Sequence, residues 1–77
     1  MNVNLYKYFT YQIVDISEDR RSLYRNYNLL IGQRGKLTES YIYDHYFVFN
    51  NPIEMNGEKY VNIPIDEGDV KLRIVLW

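Results

Sequence analysis

Apolar and polar residues alternate along most of this chain, and the alternation is clearest from Pro52 to Trp77. Asn56-Gly57 stands between two β-rich runs, the strongest short hairpin signal, because a type I′ turn needs positive φ at both central residues. The register that follows sets Met55 opposite Glu58, Glu54 opposite Lys59 and Ile53 opposite Tyr60, so opposite charges meet beside the turn. On the return strand Val61, Ile63 and Ile65 share one face at period two. After the turn Asp66-Glu67-Gly68-Asp69 the last run repeats the pattern with Val70, Leu72, Ile74 and Leu76. Pro64 removes a ladder donor from the return strand, which places that strand at an edge or a bulge.

Earlier in the chain, Val3, Leu5, Lys7, Phe9, Tyr11 and Ile13 alternate with Asn4, Tyr6, Tyr8, Thr10 and Gln12, which predicts a first strand over 3–14. Polar turn chemistry follows from Asp15 to Asp19. Residues 22–31 read two ways. As a strand they put Leu23, Tyr27, Leu29 and Ile31 on one side; as a helix over about 17–31, Ser17 caps, Glu18 and Asp19 suit the dipole, and Leu23, Tyr24, Tyr27, Leu30 and Ile31 form an apolar arc. The strand is preferred because Asn26, Tyr27 and Asn28 form helix poorly. Gly32-Gln33-Arg34-Gly35 is a turn on either reading. Leu37 to Asn50 then reads as one long strand, apolar on both faces in its second half, ended by Asn50-Asn51-Pro52. The expected fold is a single all-β domain, a five- or six-stranded antiparallel sheet curled into a small barrel or sandwich. The alternative is α+β, with one helix over about 17–31 packed on a four- or five-stranded antiparallel sheet.

Composition narrows the function. A 77-residue chain buries only about 60% of its unfolded surface, which leaves little room for a deep catalytic cavity. Without Cys there is no disulfide framework and no Cys-based zinc site. Nine Tyr and no Ala favour pleated, half-buried surfaces over helix. No apolar run reaches the roughly 18 residues of a membrane span, and Met1-Asn2-Val3-Asn4 lacks the basic start of a signal peptide, so a cytoplasmic protein is expected with no membrane partner. The net charge of −1 is unevenly spread: the ionised residues from Arg20 to Lys36 are all basic, whereas from Glu39 to Asp69 Lys59 is the single cation.

Candidate chemistry is sparse. His45, the only histidine, follows Asp44 in a strand-like run; neighbours there point to opposite faces, so Asp44 is badly placed to orient the ring for acid–base work. Asp66, Glu67 and Asp69 around Gly68 lack the twelve-residue calcium pattern, and Gly32-Gln33-Arg34-Gly35 matches neither the dinucleotide fingerprint nor the P-loop. No catalytic residue, metal ligand or cofactor is expected. Arg20, Arg21, Arg25, Arg34 and Lys36, interleaved with Tyr24 and Tyr27, suit phosphate neutralisation and base stacking, so nucleic acid is one candidate partner. Tyr6 and Tyr8 lie on the polar face of the first strand, where core packing does not require them. With Tyr24 and Tyr27 they make a candidate protein-binding set, since Tyr offers large rigid contact area with a polar tip.

Small size, the lack of Ala and an abundance of Asn, Ile and Tyr, such as AT-rich coding produces, give the chain an overall character. In that character it resembles the small accessory proteins of phages and mobile elements, including the anti-CRISPR type that inactivates a host nuclease by binding it. The resemblance implies a non-enzymatic inhibitor that engages a host protein in the host cytoplasm. A small aromatic sheet with an exposed edge also invites a homo-oligomer.

Overall fold

The computed structural model describes residues 8–21, 24 and 27–76. The chain is a small all-β protein with five antiparallel strands in one sheet: β1 (Thr10–Ile16), β2 (Arg34–Glu39), β3 (His45–Met55), β4 (Glu58–Ile65) and β5 (Val70–Val75). Their order in the sheet is β4-β3-β2-β1-β5. Four strands therefore form a meander, and the fifth returns to lie beside the first. The edge strands are β4 and β5, as Pro64 within β4 requires.

The two edges are nevertheless joined by only Asp66 to Asp69, where the Asp69 N–H donates to the Asp66 carbonyl at 2.9 Å. In a flat sheet, four inter-strand steps would hold the edges about 19 Å apart. A hydrogen-bonded four-residue turn keeps its ends within about 7 Å. The sheet must curl for this turn to close, and it does so without β4 pairing with β5. It is thus neither a closed barrel nor a sandwich.

Inside the curl lies one apolar cluster. Ile13, Ile16, Leu30, Leu37, Phe47, Phe49, Met55, Ile63, Ile65 and Val70 are all buried, with Tyr11, Tyr24, Tyr27, Ile31, Ile53, Tyr60 and Leu72 packed against it. Phe47 is wholly buried and meets Phe49 edge-on at 5.5 Å. At strict period two, Asp15 would follow Ile13 inward. A bulge between Ile13 and Asp15 shifts the phase, so that Ile16 turns in and Asp15 stays out. The strand therefore extends to Ile16, through part of the expected turn. At Gly35 an added Cβ would overlap the Val48 carbonyl oxygen, so only glycine permits this approach of β2 to β3.

The β3–β4 hairpin has the expected register, Met55 with Glu58, Glu54 with Lys59 and Ile53 with Tyr60. Asn56 and Gly57 take φ values of 54° and 77°, as the type I′ turn demands. Farther from the turn the pairing shifts between Val48 and Ile53. Asn50-Asn51-Pro52 does not end the strand but is accommodated as an irregularity within β3. Val61 lies opposite this irregularity and is exposed, unlike Ile63 and Ile65. On β5, Val70 and Leu72 meet the core, whereas Ile74 and Leu76 run past it into solvent and Val75, on the other face, is the buried residue.

Two further expectations are corrected, both between residues 17 and 50. Residues 17–31 form neither a strand over 22–31 nor a helix over 17–31. Their described part is a 3₁₀ turn, Glu18–Arg20, followed by a single helical turn, α1 (Tyr27–Leu30). Ser17 makes no side-chain cap; its N–H donates instead to the Asp69 carbonyl at 2.8 Å. Asn28 and the glycine at 32 limit α1 to one turn, and burial of Leu30 under the sheet decides its place. Gly32, at φ 97°, ends it by donating to the Ile13 carbonyl at 2.7 Å.

Residues 37–50 are not one strand but β2, a loop, and the start of β3. Ser40 causes the reversal: its hydroxyl accepts the N–H groups of Ile42 at 3.3 Å and Tyr43 at 3.0 Å. Such a serine turn competes with the ladder even among residues of high β-propensity.

Candidate functional site

Two loops that are far apart in sequence meet a third, the turn Asp66–Asp69. From the β1–β2 connection, the Arg20 guanidinium pairs with the Asp69 carboxylate at 3.2 Å and the Tyr24 hydroxyl donates to it at 3.4 Å. From the β2–β3 loop, the Asp44 N–H donates to the Asp66 carboxylate at 3.1 Å, and the Asp44 carboxylate accepts the Glu67 N–H at 2.6 Å. These reciprocal bonds clamp the two turns together. Burial raises the pKa of the Tyr24 hydroxyl, the Asp66 backbone lowers it, and the nearby Asp69 and Asp66 carboxylates raise it further.

At the free end of this cluster stand Tyr41, fully exposed, and Ile42, 82% exposed. Tyr43 is also exposed and meets Tyr46 edge-on at 6.3 Å. A large aliphatic and a large aromatic side chain are thus held in water by a loop fixed at both ends, by Ser40 and by Asp44. Scattered exposed apolar residues are ordinary; a pair side by side on a pinned loop is an anchor available to a partner.

The expected protein-binding tyrosines are dispersed. Tyr6 lies outside the described residues. Tyr8 is exposed, whereas Tyr24 and Tyr27 are half-buried and pack against the core. The Arg21 guanidinium lies 4.9 Å from the centre of the Tyr27 ring, which occupies a ring face that stacking on a base would need. Tyr41 was hidden from sequence reading because 37–50 looked like a continuous strand, in which it would pack against neighbours. The signal that could have found it was Ser40 ahead of Tyr41-Ile42-Tyr43-Asp44, a side-chain-stabilised turn.

The basic set is dispersed as well. Arg20 is paired with Asp69, and Arg21 reaches the Asp15 carboxylate at 3.3 Å and the Ile16 carbonyl at 3.1 Å. Both brace the β1–β2 connection. Arg25 lies outside the described residues. Arg34 and Lys36 alternate with the buried Gly35 and Leu37 and so share the outer face of β2. Gln12 pairs with Arg34 on one side and Arg73 on the other, and the Arg73 guanidinium donates to the Gln12 side chain at 2.7 Å. Arg34 and Arg73 therefore flank one glutamine in a row across three strands.

His45 is half-buried and pairs in register with Glu39 and Ile65. The Asp44 carboxylate serves the Glu67 backbone. A cleft of about 500 Å³ opens between the edges of β4 and β5, with apolar walls that include Leu37, Ile65, Val70 and Leu72 and with His45, Glu67 and Lys71 also lining it. Among the described residues, no group of three or more His, Asp or Glu side chains is placed to hold a metal ion. No helix among them is long and apolar enough to cross a membrane. Compared with known proteins, the chain matches no family model, no curated protein and no solved structure.

Proposed function

We propose that this protein is a non-enzymatic binding protein that engages a macromolecular partner, a host protein such as a defence nuclease, through the loop cluster at Asp66–Asp69. Exposure of Tyr41 and Ile42 on a doubly pinned loop carries this reading. Interface energy concentrates in a few large side chains that enter a pocket on the partner, and a loop already rigid loses little entropy on docking. The test is Tyr41→Ala with Ile42→Ala. Neither side chain is buried, so the melting temperature should stay within about 2 °C, a shift of well under 1 kcal/mol for a domain this small. The complex should weaken by more than about 2 kcal/mol, roughly 30-fold, as for hot-spot residues. Full binding by this double variant would remove the reading.

Nucleic-acid binding is the second reading, favoured by one observation: Arg34, Lys36 and Arg73 present their charges on the outer face of the sheet, where, among the described residues, no residue of opposite charge is opposite them in register. Here Arg34→Glu with Lys36→Glu should abolish retention on single-stranded DNA, and retention should fall steeply with salt. Salt-insensitive retention would count against it.

A further inference from the structure

The electrostatics around Tyr41 and Ile42 specify the kind of partner. There is no Lys or Arg between Lys36 and Lys59, and none between Lys59 and Lys71. The clamp that fixes the tip loop is itself made of carboxylates, because Asp44 and Asp66 each accept a backbone N–H from the other's turn. The Glu67 side chain is exposed beside them, and Asp69 is paired with the Arg20 guanidinium. The aromatic and aliphatic knob is therefore carried on a loop anchored by carboxylates at fixed positions, while Arg34, Lys36 and Arg73 lie on the outer face of the sheet.

Resting on the protein-binding reading above, we infer that the partner presents an apolar pocket ringed by Lys and Arg, the type of protein surface that otherwise holds nucleic-acid phosphates. Carboxylates at the rim approach such a surface with complementary sign, speed the encounter and fix the orientation, while Tyr41 and Ile42 fill the pocket. A flat apolar partner would gain nothing from these anions and would have to desolvate them. An acidic partner would be repelled. Binding in this mode excludes nucleic acid from the partner, because both ligands need the same cations.

The test compares three tagged proteins on one host lysate: the wild type, Tyr41→Ala with Ile42→Ala, and Asp66→Asn with Glu67→Gln. The amide oxygen of Asp66→Asn still accepts the Asp44 N–H, and the Glu67 side chain is exposed, so the charge variant should keep the wild-type melting temperature. The captured partner is identified, purified, and its association rate measured at about 0.1 M and about 1 M salt, across which the Debye length falls from about 10 Å to about 3 Å. The inference expects the charge variant to associate about tenfold more slowly at the lower salt and equally fast at the higher. It also expects a short DNA duplex to compete with the wild type for the partner. If the tip variant loses the partner but the charge variant associates at the wild-type rate, the inference falls and the protein-binding reading stands. Should the tip variant bind as well as the wild type, both fall. Recovery of a second copy of this chain, seen as a dimer or larger in the absence of lysate, would overturn the inference in favour of self-association with its own basic face. Recovery only of nuclease-sensitive material would overturn it in favour of the nucleic-acid reading.

Discussion

The tip of the β3–β4 hairpin and the loop cluster at Asp66–Asp69 are built by opposite means. At the hairpin tip, two residues with positive φ reverse the chain and each bond is made between close neighbours in sequence. At the cluster, Tyr24 meets Asp69 and Asp44 meets Glu67, contacts that close loops of 45 and 23 residues. The hairpin is a local solution that the chain finds alone. The cluster exists only after the sheet has curled, since the edges must come together before the three loops can touch. Local contacts form early and depend little on the rest, whereas non-local ones inherit the stability of everything between them. It follows that the proposed partner-binding surface is the part of the molecule most dependent on the whole fold.

One core underlies both regions, and breaking it should erase the difference between them. Phe47 is wholly buried, contacts Phe49, and belongs to the strand that carries both the hairpin and the tip loop. Phe47→Ala should cost about 3–5 kcal/mol, a large share of the roughly 4–12 kcal/mol expected for a domain this size. Urea titration followed by circular dichroism should show one transition moved to much lower denaturant. A loss under about 1 kcal/mol, or two separate transitions, would mean that the two regions are independently supported.

Smaller substitutions should separate them. Gly57→Ala places a Cβ at φ 77°, a strain of roughly 1–2 kcal/mol that acts through the hairpin and leaves partner binding intact in whatever fraction is folded. Asp44→Ala removes the acceptor of the Glu67 N–H and should cost about 0.5–1.5 kcal/mol. Its effect on partner binding should exceed its effect on stability, because the tip loop loses one of the two bonds that tie its Asp44 end to the Asp66–Asp69 turn. Amide exchange should then speed up at Ile42, Tyr43 and Glu67 while Glu54 to Lys59 keep their protection. Equal acceleration in both regions would contradict the division drawn between them.

The same division sets what could be read from the sequence. Asn56-Gly57 gave the hairpin and its register, and Pro64 marked an edge strand, because each signal acts on its own neighbours. The five-stranded, all-β class followed from period-two alternation, which survives on β2, β3 and much of β4. Leu30 could not be placed. Whether it lies on a helix or a strand depends on the cavity it fills beneath the curled sheet, and its local sequence is ambivalent. Tyr41 was missed for a related reason, since a single hydroxyl, Ser40, outweighs the β-propensity of the residues around it. Arg20 and Arg21 looked like part of a basic face because their carboxylate partners are on other turns or on the far side of a short loop.

The finest test of the cluster is its response to alkali. Tyr24 has a raised pKa, chiefly through burial, with Asp69 and Asp66 adding repulsion against the backbone hydrogen bond that opposes it. The fold therefore favours the neutral phenol. Its contribution to stability is complete below the ordinary Tyr value of about 10 and is lost as pH rises through the raised folded value. Tyr24→Phe keeps the ring against the core and removes the titrating group. At neutral pH it should cost under about 1 kcal/mol, since the bond to Asp69 is long. Above about pH 10 its urea midpoint should fall less steeply than that of the wild type, the remaining slope coming in part from Tyr11, whose pKa is also raised by burial. Parallel decline in the two proteins would show that Tyr24 is not held against the Asp66–Asp69 turn in solution, and would detach the β1–β2 connection from the cluster.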